Sequence, residues 1–202
     1  MAVATQAPPT PSPPEYSFTV EQFHRMVDAG IITEEDRVEL IEGVLVPKMT
    51  RKPPHCSTLD LLVDALRELL PKAWRVRDQK VIALEDGEPE PDAAVVLGPA
   101  GRYHDHHPKP EEIAMVAEVA DSSLSLDRTR KFRSYSRAGI PVYWIVNLVE
   151  RQIEVYSIPK NPRRGRPYYD RRLDFRVGQE VPLVIAGERI GSIAVDAILP
   201  PG

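Results

Sequence analysis

Apolar and polar positions alternate with two different periods along this chain, and the switches between them mark out the elements. Phe23, Met26 and Val27 fall on one helical face behind Thr19 and Gln22, whose three-residue spacing suits a capping box, and Gly30 ends the run. Residues 37–46 alternate on both sides of Glu42-Gly43, the pattern of a tight hairpin. Leu59, Leu62, Val63, Leu66, Leu69 and Leu70 then repeat at helical spacing, and Pro71 stops them. Three strands are predicted next, at 74–79, 80–84 and 92–97, followed by a polar loop over 98–112. Residues 113–120 are apolar throughout except for Glu118, as a strand covered on both faces requires. A helix is expected over 126–138, stopped by Gly139 and Pro141, and then an apolar strand at 142–147 and an alternating one at 152–158. Residues 159–172 read as a basic excursion, and 173–199 as short strands and turns that close one edge.

This order of elements predicts an α/β fold, a mixed β-sheet flanked by helices. The first 16 residues carry Pro8, Pro9, Pro11, Pro13 and Pro14 and read as a disordered arm, which leaves 17–202 as a single domain. A chain of 202 residues, 42% hydrophobic, is long enough to bury a full core. Its net charge of -4 means that any nucleic-acid contact must come from a local basic patch. The single cysteine, Cys56, excludes an internal disulfide and suits a reducing compartment. No apolar run approaches the roughly 20 residues of a membrane span, and the N-terminus lacks the pattern of a signal peptide. A cytoplasmic protein without membrane contact is the expectation.

Three residues carry the candidate chemistry. Asp92 opens a strand directly after Pro91, which restricts the chain before it. Glu118 interrupts a buried strand and needs a cation, because an unpaired buried charge costs several kcal/mol. Lys131 follows on a helix four residues after Asp127, a spacing that by itself reads as a surface ion pair, with Tyr135 one turn further on. Two carboxylates and an ammonium are the minimum for metal-assisted phosphodiester hydrolysis, in which oxygen ligands hold Mg²⁺ and the lysine orients a water. Glu39, between Val38 and Leu40, is placed to add a third carboxylate, whereas Glu42 in the turn reads as solvated; His55 opens the long helix and could reach the cleft, although a histidine in that place is more often structural. The adjacent His55 and Cys56 point in different directions on a helix and make no catalytic pair. The His104–His107 run has metal-ligand residue types but no second ligand group at a suitable spacing, and reads as a polar loop. The segment 160–172 holds six basic residues and two tyrosines, the composition of a phosphate-backbone contact with stacking aromatics, or of a solvated loop.

The succession Glu39-Leu-Ile-Glu-Gly, Pro91-Asp92, Glu118-Val-Ala-Asp-Ser-Ser, Asp127-x-x-x-Lys131, Tyr135-x-x-Ala-Gly-Ile-Pro and Tyr143-Trp-Ile-Val-Asn147 resembles the Uma-type restriction endonuclease family of the PD-(D/E)XK nuclease superfamily. The resemblance implies a restriction-endonuclease-like fold. It also implies Mg²⁺, with Mn²⁺ as a substitute, held by Asp92, Glu118 and the backbone carbonyl of Val119. Glu39 would be the auxiliary acid and Lys131 the catalytic lysine. The wider superfamily places its lysine two residues past the glutamate, where this chain has Ala120; the Uma-type pattern moves it to the next helix. The implied function is a metal-dependent endonuclease acting on DNA, with a homodimer favoured by the need to cut two strands. The rival is a nuclease-fold binding or structural module without turnover.

Overall fold

A computed structural model describes residues 16–199, so the arm expected over 1–16 lies outside the described residues except for Tyr16. Helix α1 (Val20–Asp28) opens on the expected capping box: the Gln22 N–H donates to the Thr19 hydroxyl and the Thr19 N–H to the Gln22 side chain. Phe23 and Met26 are half-buried and Val27 is exposed, so this helix lies shallowly on the surface. Strands β1 (Val38–Ile41) and β2 (Val44–Pro47) form the predicted hairpin. Glu42 and Gly43 both have positive φ, 52° and 71°, as a two-residue turn of this hand demands. Helix α2 (Pro53–Leu69) carries the predicted repeat and buries Leu59, Leu62, Val63 and Leu66.

The central sheet has six strands in spatial order β3 (Trp74–Asp78), β4 (Ala93–Leu97), β5 (Ile113–Ala120), β6 (Val142–Asn147), β7 (Gln152–Lys160) and β8 (Tyr168–Arg176). Only the β5–β6 pair is parallel, so the sheet is mixed, and the crossover between those two strands carries helix. That crossover runs through α3 (Leu124–Leu126), a π turn (Asp127–Lys131) and α4 (Phe132–Arg137). Strands β9 (Glu180–Ile185) and β10 (Glu188–Ala194) form a separate hairpin, followed by α5 (Val195–Ile198).

Two apolar layers sandwich the sheet. One joins Leu62, Leu66, Val119 and Trp144 with Val181, Leu183 and Ile198 of the tail, so α2 and the tail cover that face together. The other gathers Val116, Tyr135, Tyr143, Tyr156 and Tyr169 beneath α4. All six residues of β6 are buried, as its unbroken apolar pattern requires.

Two expected elements differ. Residues 80–84 form no strand: Leu84 makes a single bridge to Gly87, and the segment folds over the second layer to bury Ile82. Its alternation records that burial rather than a ladder. The basic excursion is mostly a hairpin, because β7 runs on to Lys160 and β8 starts at Tyr168. Tyr169, buried in the second layer, is what holds the returning strand in place.

Candidate active site

Strand register creates the site. Ala93 pairs with Ala117, and β4 ends there while β5 continues for three more residues. Asp92 therefore lies beside Glu118 at the point where the ladder opens. Its carboxylate takes the place of the missing strand, accepting a hydrogen bond from the Val119 N–H at 2.9 Å. In an extended strand the N–H and C=O of one residue point to the same side, so the Val119 carbonyl also faces this gap. The Asp92 N–H makes a long contact of 3.4 Å to Glu118 Oε2.

Lys131 reaches the pair from the π turn, its ammonium 3.0 Å from Glu118 Oε1 and 3.6 Å from Glu39 Oε1. The Tyr135 hydroxyl, one turn on, donates to the same Glu118 oxygen at 2.7 Å. Glu39 accepts the Glu90 N–H at 2.9 Å and is buried, so the first hairpin is tied to the chain leading into Asp92. The structure thus brings Glu39, Asp92, Glu118 and Lys131 together.

Three sequence expectations are corrected. Asp127 and Lys131 are not a surface pair: they are 1% and 6% exposed, because the π turn directs both towards the sheet. Glu42 is not solvated but pairs with Arg133 and Arg137, fastening α4 to the hairpin turn. His55 does not stand apart from the site. Its Nε2 lies 3.1 Å from Asp92 Oδ2, and its buried Nδ1 has no hydrogen-bond partner. The one available signal for His55 was its place in the first turn of α2, which aims it over the end of the sheet. Cys56, its neighbour, is exposed, as two successive helical positions should differ.

Burial and charge pull the acids apart. Burial drives the Glu118 carboxyl well above the ordinary carboxylate range; the Lys131 ammonium opposes this, while Asp92, Asp127 and Glu39 add to it. Asp127 is pushed up to about 6, chiefly by burial, against the pull of Lys131 and the Ser123 hydroxyl. Asp92 moves the other way. Burial alone would raise it, but the hydrogen bond and charge of His55, with Lys131 and the Val119 N–H, hold it below its usual value. Burial would strip the proton from Lys131, yet Glu118, Glu39, Asp127 and Asp92 keep it firmly protonated.

Among the described residues no three His, Cys, Asp or Glu side chains stand close enough to enclose a metal by themselves. Two carboxylates and the Val119 carbonyl remain as an all-oxygen donor set, the kind that suits a hard cation which keeps several of its waters. The cleft beside them is lined by Lys48, Arg51 and Lys52 together with Glu90 and Asp121; Lys48 pairs with Glu90 at 2.5 Å and Lys52 with Asp121 at 3.0 Å, so the charge of its mouth is mixed. In the His104–His107 run, His106 lies against Asp105 and Glu112 in a polar loop.

Against solved structures the chain is similar to a protein described as a putative nuclease belonging to DUF820 from Anabaena variabilis, with a TM-score of 0.64 and 14% identity over 90% of this chain and 97% of the other. At that identity the likeness speaks for the fold. No curated protein matches the chain. The family model described as Uma2, putative restriction endonuclease, matches residues 20–183. That span takes in the hairpin acid, the Asp92–Glu118 pair and the lysine helix, and on it this chain belongs to the Uma2 family.

Proposed function

We propose that the protein is a metal-dependent endonuclease that hydrolyses phosphodiester bonds of DNA. The observation that carries the reading is the open ladder end, where the Asp92 and Glu118 carboxylates, the Val119 carbonyl and the Lys131 ammonium meet in one cleft. Asp92, Glu118 and the Val119 carbonyl would hold Mg²⁺ or Mn²⁺. Such an ion, when bound, supplies a water of lowered pKa and neutralises charge on the scissile phosphate.

The remaining groups have separate tasks. Asp92, kept ionised by its neighbours, is the constant anionic ligand. Lys131, kept protonated, is a donor that orients the attacking water and meets developing negative charge; it is not a base in this environment. Tyr135 and Glu39 steer Glu118 and Lys131 from opposite sides. Arg51, on the wall of the cleft, receives a flanking phosphate. A second copy of the chain would supply the second cut of a duplex. The rival reading, a binding module without turnover, draws on Ala120 in the superfamily's lysine position. Lys131 answers it, since only the place of the ammonium matters to the chemistry.

Calorimetric titration with Mn²⁺ and Mg²⁺, together with nicking of supercoiled plasmid, tests the proposal. The parent should bind metal and nick, and Asp92→Asn should do neither while remaining folded. A parent that binds no metal at millimolar concentration, and whose nicking Asp92→Asn leaves untouched, would end the reading.

A further inference from the structure

The outer strand of the sheet carries two arginines that pair with no acid among the described residues. Arg75 and Arg77 lie two positions apart on β3, so both side chains leave the same face. Arg77 stands opposite Ala94 and Arg75 opposite Val96, which belong to the tyrosine-rich layer, so this is the face that also carries Glu118. Both are half-buried, and the Nε of each is sealed from solvent without a hydrogen-bond partner. The guanidinium of Arg77 sits 5.1 Å from the centre of the Tyr103 ring, and burial and the like charge of Arg75 both weigh against its protonated form. Asp78, the acid next along, meets Arg67 instead, at 3.4 Å. Lys80 lines the same groove.

Two neighbouring cations held part-buried without a counter-ion destabilise the chain that carries them, and an anion between them removes that cost. The planar donor fork of arginine matches phosphate oxygens two at a time. Position narrows the ligand further. Strand β3 ends at Asp78 opposite Ala93, which puts Arg77 roughly 8 Å from Asp92 by strand spacing. The surface along α2 between the cleft and this groove is mixed in charge, with Arg51 and Arg67 beside Asp60 and Asp64.

We infer that Arg75 and Arg77 form a phosphate-binding subsite on the sheet edge that holds a backbone phosphate of a polynucleotide lying in the cleft. The ligand's identity rests on the endonuclease reading above; the subsite itself rests on the paired guanidiniums. Binding of a short labelled DNA duplex in metal-free buffer, followed by fluorescence anisotropy over a salt series, tests it. Arg75→Ala/Arg77→Ala should bind about tenfold more weakly, whatever the sequence, with a log–log salt slope shallower by about 1 to 2. Its melting temperature should equal or exceed that of the parent, because a repulsion has gone, and its calorimetric Mn²⁺ binding should be unchanged. Arg75→Lys/Arg77→Lys should keep most of the salt slope. Unaltered affinity and slope in the double alanine variant would overturn the subsite alone. So would a lowered melting temperature, which would make the pair a folding device. A parent chain that binds no duplex would overturn the nucleic-acid reading together with this one.

Discussion

At the scale of single residues, the site is a balance between a buried acid, Glu118, and the Lys131 ammonium that reaches it. Glu118 is 2% exposed and rests on Lys131 and Tyr135. Removing the cation leaves a buried carboxylate uncompensated, a change that costs roughly 3–5 kcal/mol when one partner of a buried pair is deleted. Lys131→Met should therefore destabilise the chain, and less at pH 5 than at pH 8, because burial raises the Glu118 pKa and acid lets the carboxyl take up a proton instead. Denaturant unfolding at the two pH values measures the difference. The double variant Glu118→Gln/Lys131→Met should recover most of the stability and none of the nicking, which separates the lysine's structural share from its chemical one.

Asp127 gives a second residue-scale expectation, with a sign that follows from its pKa. The carboxyl titrates near 6 in the folded chain and at 3.8 in its ordinary state, so the folded form holds the proton more tightly. That contribution is fully present below about pH 3.8 and is lost as the pH rises through 6. Asp127→Asn cannot lose it. The variant should gain on the parent between pH 4 and 7, by at most roughly 3 kcal/mol. Melting curves across that range check it, and a constant difference at every pH would show that Asp127 is not held uncharged by burial.

At the scale of elements, the π turn is what makes a helix residue serve the sheet. Its five residues carry Asp127 and Lys131 inward together, while Arg128 just beside them reaches Glu154 on β7 and Arg133 and Arg137 grip Glu42. These anchors fix the turn itself and the helix that follows it. Deleting Thr129 would convert the turn towards α-helical geometry and rotate one side by roughly 100° against the other. Nicking should vanish, and circular dichroism should still show folded secondary structure. The hairpin is held as tightly. A Cβ on Gly87 would lie 2.3 Å from the Leu40 carbonyl oxygen, so Gly87→Ala must push the covering segment off β1. Glu39, one residue from Leu40, would move with it, and a loss of both stability and nicking is the expected result.

At the scale of the whole molecule, the tail belongs to the core. Val181, Leu183, Ile185, Ile193, Val195 and Ile198 close the layer under α2, although the family match reaches only to residue 183. Truncation after Gly178 should leave that layer open and the protein unfolded or aggregated by light scattering and circular dichroism. The tail packs on α2, whose first turn carries His55 to the cleft, so the site depends on the tail through that helix as well as through the sheet.

What the sequence by itself determined is what local pattern encodes. Strand periods placed 113–120 and 142–147 to the residue, because a doubly covered strand leaves an unbroken apolar run. The capping box and the Glu42-Gly43 turn were legible for the same reason: each is written within a few consecutive residues. Chain order marked Asp92, Glu118, Lys131 and Glu39 as a group, since one buried acid in an apolar strand demands a cation from elsewhere. Tertiary structure decided everything that depends on who arrives from a distance. Helical spacing could not say whether Asp127 and Lys131 face water or sheet, because both choices have the same period and only the π turn and its anchors select one. Glu42 looked solvated until two arginines from α4, more than ninety residues on, closed over it. His55 acquired a partner only when α2 was laid across the end of β4, and Arg75 and Arg77 were left without an acid among the described residues only when β3 became the edge of the sheet. Alternation, capping and turn chemistry act between neighbours in the chain. Burial and charge pairing act between neighbours in space, and the candidate site is made of those.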